Sequence, residues 1–148
     1  PQRFYSDVLE GKIVVVDFIF THCQGICPML SATLRGLQQR LGPLVGDSVR
    51  LVSISIDPER DTPAALTEFA SRFQAGPGWM FLTGDKQKID WVSYKLGAYN
   101  EKVEEHFAAF LVGDAVSGQW SKVVASAPLD DLEQLVRSLV TAREKERG

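Results

Sequence analysis

Apolar residues fall in short blocks along this chain, separated by glycine, proline and charged residues. Lys12 to Phe20 (KIVVVDFIF) is a continuous run of strand length, rich in β-branched residues, which predicts a strand buried on both faces. Leu30, Leu34, Leu37 and Leu41 then recur at helical spacing, after a proline at position 28 suited to a first helical turn and before the stop Gly42-Pro43. Val49 to Ile56 (VRLVSISI) predicts a second strand. Thr62-Pro63 predicts the cap of a second helix with Leu66, Phe69, Ala70 and Phe73 turned inward, broken at Gly76-Pro77-Gly78. Trp79 to Thr83 reads as a short strand, and Asp85 starts a helix through Ile89, Val92 and Leu96. Phe107 to Val112 makes a fourth strand, Val116 to Gln119 a turn, and Trp120 to Ala125 an antiparallel fifth strand. Pro128 opens a last helix with Leu129, Leu132, Leu135, Val136, Leu139 and Val140 on one face, and the charged tail from Arg143 is expected to fray.

The order β-α-β-α-β-α-β-β-α predicts a single α/β domain over residues 1–148, with a central mixed sheet and flanking helices. A chain of 148 residues is long enough to bury a full core. Its net charge of −3 argues against nucleic acid, which favours a basic face. No apolar run reaches the length of a membrane span. The start at Pro1, without Met, leads us to expect a trimmed fragment that a leader or membrane anchor once preceded.

The chain has two cysteines, Cys23 and Cys27, and both stand where the first strand gives way to the first helix. A structural disulfide closing so short a loop would contribute only ~2 kcal/mol. Redox or metal chemistry explains the pair better. A helix N-terminus favours thiolate, the form that attacks disulfides and binds metals, and Pro28 is expected to place Cys27 at the helix cap. The pair directly after the first strand points to a thioredoxin-like fold. Three intervening residues replace the two of a thioredoxin-type exchanger, and His106 stands where such an exchanger has a proline, just before the strand of residues 107–112. Two thiolates and an imidazole converging in this way suit Cu(I), Cu(II) or zinc, and three ligands fall short of the closed set of four usual for structural zinc.

Three segments together resemble the Sco/SenC family: Phe20-Thr21-His22-Cys23-x-x-x-Cys27-Pro28, then Ser53 to Pro63 (SISIDPERDTP), then His106 followed by Phe110-Leu111-Val112. Trp79 to Gly84 is similar to that family's third-strand segment, so the resemblance spans nearly the whole chain. It implies a thioredoxin-like copper-binding domain that helps assemble the binuclear copper centre of cytochrome c oxidase. It also implies an extracytoplasmic location, periplasmic or on the outer face of the cytoplasmic membrane, with a membrane tether in the full-length protein. Carried over position by position, the copper ligands are Cys23, Cys27 and His106, and Asp57 matches an acidic position close to the metal. The chain departs from the family pattern at Gln24-Gly25, Glu105 and Phe107, none of which is a ligand position.

A second reading uses the same cysteines: Cys23 and Cys27 would be the catalytic pair of a thiol–disulfide reductase that keeps a copper-accepting partner reduced. A thioredoxin-superfamily peroxidase is a third reading, and the chain lacks its P-x-x-x-T-x-x-C arrangement. The expected partner is a copper-accepting subunit of cytochrome c oxidase or another copper chaperone, with the domain acting as a monomer. Bland roles are expected elsewhere. His22 is a rival ligand expected to turn its ring away; Asp57, Arg60 and Asp61 could cap the second helix and pair with one another; Trp79, Trp91 and Trp120 are expected to pack in the core or at its edge; and Glu101, Glu104 and Glu105 form a solvated loop.

Overall fold

The computed structural model describes residues 12–21, 26–95, 109–114 and 117–147. Five strands, β1 (Ile13–Ile19), β2 (Val49–Ser55), β3 (Trp79–Leu82), β4 (Ala109–Asp114) and β5 (Gln119–Val124), form one sheet in the order β3-β2-β1-β4-β5. The strands β1, β2 and β3 are mutually parallel, while β4 is antiparallel to both β1 and β5. This is the mixed sheet expected of a thioredoxin-like domain. Among the described residues four α-helices flank it: α1 (Ile26–Leu41), α2 (Pro63–Arg72), α3 (Lys86–Lys95) and α4 (Leu129–Arg147).

Every residue of β1 is buried, because the strand lies in the middle of the sheet with helices on both sides. Side chains alternate between faces along it. Ile13 and Val15 join Leu30, Leu34, Leu37 and Leu41 of α1 and Leu132, Val136 and Val140 of α4 in one core. Val14, Val16 and Phe18 join Val52, Ile54 and Leu111 in a second core, under Ile89 of α3. A third cluster, of Ile19 with Leu66 and Phe69, seats α2 near the C-terminal end of β1. The α1 leucines are therefore the inward stripe that their spacing predicts. Arg40 of α1 pairs with Asp130 and Glu133 of α4, adding exposed ion pairs to that apolar contact.

Several boundaries differ from expectation. The first helix is described from Ile26, so the Cys27 backbone is helical rather than at the cap. It ends at a 3₁₀ turn, Gly42–Leu44, where Gly42 takes a φ of 58° that other residues resist. The second helix stops at Arg72, ahead of the Gly76-Pro77-Gly78 breaker, as Gln74 enters the left-handed region with φ 55°. The last helix runs on to Arg147 instead of fraying at Arg143, since Arg, Glu and Lys are all good helix formers. Trp79 is buried as expected and Trp120 packs against the second core, but Trp91 is 61% exposed. Phe107, the start expected for the fourth strand, lies outside the described residues, as do Leu96 and the acidic run Glu101, Glu104 and Glu105.

Candidate metal centre

Parallel strands with helical crossovers leave their C-terminal ends free of packing, and ligands bind there in open α/β sheets. In this sheet β1 ends at Ile19, and two more residues, Phe20 and Thr21, lead towards His22 and Cys23. Because β4 is antiparallel to β1, with Val16 opposite Leu111, its first residue Ala109 lies at that same end. Ala109 follows His106 by three residues, a span of at most ~10 Å, and Cys23 follows Thr21 by two, a span of at most ~7 Å. Thr21, the start of the described part of α1 and Ala109, the described residues that flank the candidate ligands in sequence, thus lie at one end of the sheet. The rival His22 lies outside the described residues with Cys23 and His106, and of Cys27 only the helical backbone is described. Among the described residues no group of three or more His, Cys, Asp or Glu is placed to hold a metal ion.

What is described is the support beneath that end. The core polar residues Asp17, Ser53, Ser55 and Asp61 are all fully buried. They lie on β1, on β2 and in the turn beyond β2, towards the C-terminal end of the strands. Asp61 accepts hydrogen bonds from the Thr21 hydroxyl at 2.5 Å, from the Thr21 backbone N–H at 3.2 Å and from the Ser55 hydroxyl at 2.7 Å. The Ser55 oxygen in turn accepts the backbone N–H of Asp57 at 3.2 Å.

Asp57 itself is partly buried, and its carboxyl stands 3.7 Å from the Arg60 guanidinium, so those two residues do pair as expected. Asp61 does not take the helix-capping role. Thr62 fills it, its side chain accepting from the Ala65 N–H, and Asp61 turns inward instead.

A second polar pair lies deeper. Asp17 faces Ser53 across β1 and β2, and the Ser53 hydroxyl donates to Asp17 Oδ1 at 2.5 Å while accepting from the Trp79 indole N–H at 3.0 Å. Asp17 Oδ2 is buried with no partner among the described residues. Burial pushes the Asp17 carboxyl up to about 7, against a smaller opposing pull from the Ser53 hydrogen bond. Sequence reasoning passed over Asp17 and gave Asp61 only a capping and pairing role. An acid inside a run buried on both faces was the available signal for Asp17; for Asp61, a better cap already stood next to it in Thr62.

The sequence pattern of the SCO1/SenC family matches residues 2–123. The chain belongs to the SCO1/SenC family. A SCO1 homologue of Bacillus subtilis is 42% identical over 80 residues, covering 53% of this chain and 41% of that protein. The chain spans about a third to three-fifths of the length of the curated relatives it matches. Among solved structures, Arabidopsis thaliana ScoI with copper bound superposes with a TM-score of 0.75 at 25% identity, covering 93% of this chain and 88% of that one. BsSco, a member of the Sco family of cytochrome c oxidase assembly proteins in which a disulfide switch has been identified, superposes with a TM-score of 0.71 at 32% identity, covering 88% and 81%.

Proposed function

We propose that this domain is a copper metallochaperone for assembly of the binuclear copper centre of cytochrome c oxidase. Copper is its cargo, and Cys23, Cys27 and His106 are the ligands. The observation that supports this reading is the antiparallel pairing of β4 with β1, which sets Ala109, three residues after His106 in sequence, at the end of the sheet where β1 ends ahead of Cys23. Copper held in the Arabidopsis relative supports it. Two thiolates are soft donors suited to Cu(I), and an added imidazole extends the set to Cu(II). Asp57 lies in the turn tied to the base of the cysteine segment and contributes negative charge beside the metal. Thiols must lose their protons to bind, so loading releases protons and stabilises the fold.

The copper-accepting partner is a subunit of the oxidase or another copper chaperone. The domain works as a monomer on the outer face of the cytoplasmic membrane, tethered through a segment beyond these residues. No helix among the described residues is long and apolar enough to cross a membrane.

Titration of the reduced protein with Cu(I) and Cu(II) tests the ligand set. His106→Ala is expected to lower both affinities, and an unchanged affinity would remove the imidazole from the site.

The disulfide switch of BsSco favours a second reading, in which the same cysteines reduce a partner. One thiolate attacks the partner's disulfide, the second resolves the mixed disulfide, and the chain ends with a Cys23–Cys27 disulfide while the partner leaves as a dithiol. Turnover against an oxidised partner peptide without copper, lost in Cys→Ser variants and intact in His106→Ala, would identify this activity.

A further inference from the structure

Asp61 is a fully buried carboxyl that neither copper binding nor helix capping uses. Burying such a group is costly, and it persists where its hydrogen bonds fix something. Here they join two chain segments. Thr21, the donor of both a backbone N–H and a hydroxyl, stands two residues before Cys23. Ser55, the donor on the other side, ends β2 and holds the Asp57 backbone N–H on its oxygen. The Asp61 N–H also closes the turn by donating to the Asp57 carbonyl at 2.9 Å. Among the described residues no cation forms an ion pair with Asp61, so its contacts are those of a clamp between neutral donors.

We propose that Asp61 is a positioning residue for the thiol site: it latches the exit of β1 to the Asp57 turn and so sets where the cysteine segment stands over the sheet. This rests on the copper reading above. It makes the two motifs F-T-H-C and S-I-D-P-E-R-D parts of one device, joined through the Thr21–Asp61–Ser55 bonds.

The test compares parent, Asp61→Ala, Asp61→Asn and Thr21→Val, each shown fully folded by circular dichroism at the temperature of measurement. Cu(I) affinity is read by competition with a chelator, and the Cu(II) site by its thiolate charge-transfer band and EPR spectrum. Removing an outer-shell partner typically costs 10–100-fold in metal affinity, and that loss, with a shifted Cu(II) spectrum, is expected for Asp61→Ala. Asp61→Asn keeps an oxygen for Thr21 and is expected to stay within several-fold of the parent. Thr21→Val, which removes only the hydroxyl, is expected to fall between the parent and Asp61→Ala, and it carries the test alone should Asp61→Ala fail to fold.

A lowered melting temperature does not by itself alter the affinity or spectrum of folded protein. Folded variants that match the parent in both therefore overturn the proposal. A parent that fails to bind copper overturns the copper reading instead. The latch is then read from the Cys23/Cys27 reduction potential, where a tenfold change in equilibrium constant, about 30 mV, is expected for Asp61→Ala and no change refutes it.

Discussion

Replacing Asp17 by asparagine should change how stability depends on pH, and the direction follows from its burial. Asp17 is wholly buried, with one oxygen bonded to Ser53 and the other without a partner among the described residues. Its carboxyl is raised from 3.8 to about 7. The folded protein therefore keeps this proton over a range in which the unfolded chain has released it. Stability falls as pH rises from near 4 to near 7 and is level, as far as this group goes, beyond that. A gap of about three units at 1.36 kcal/mol each sets an upper bound of roughly 4 kcal/mol.

The amide in Asp17→Asn keeps the shape of the side chain and an oxygen for Ser53 but cannot ionise. The difference in unfolding free energy between Asp17→Asn and the parent should thus move in favour of the variant by about 2–4 kcal/mol between pH 4.5 and pH 8. Urea unfolding of the reduced, copper-free proteins across that range measures it, and the other carboxyls cancel in the comparison. A difference that stays constant to within about 0.5 kcal/mol would refute the reasoning.

Two further predictions concern the scaffold. Thr62→Ala removes the acceptor for the Ala65 N–H and should destabilise the protein by about 1 kcal/mol in urea unfolding, whereas Thr62→Ser should stay near the parent. Gly113→Ala would bring a Cβ to 2.5 Å from the Trp120 ring and 2.9 Å from the Gln119 carbonyl, so a loss of about 1–3 kcal/mol is expected, with altered near-ultraviolet circular dichroism from the displaced indole.

The parts of the fold readable in the sequence are those governed by local periodicity. The four α1 leucines, the run that became β1, and the Thr62 cap each carry their signal within a few residues. Trp91 was misjudged because only its size was weighed. It lies two residues from buried Ile89, about 200° around the helix, and so faces solvent.

The carboxyls were harder for a different reason. Where Asp61 points depends on donors 40 residues away at Thr21, and the isolation of Asp17 depends on Ser53 across the sheet. No pattern within either segment reports such partners. The candidate ligands stood out as residue types and spacing, and the sheet adds that the described residues flanking them, Thr21 and Ala109, share one end.

The proposed copper site consists of two thiolates and one imidazole. X-ray absorption at the copper edge of the Cu(I)-loaded domain measures that ligand set directly. Two sulfur scatterers with one imidazole are expected in the parent, and loss of the imidazole signal in His106→Ala with both sulfurs retained. An unchanged spectrum in His106→Ala, or a parent spectrum without two sulfurs, would contradict that ligand set.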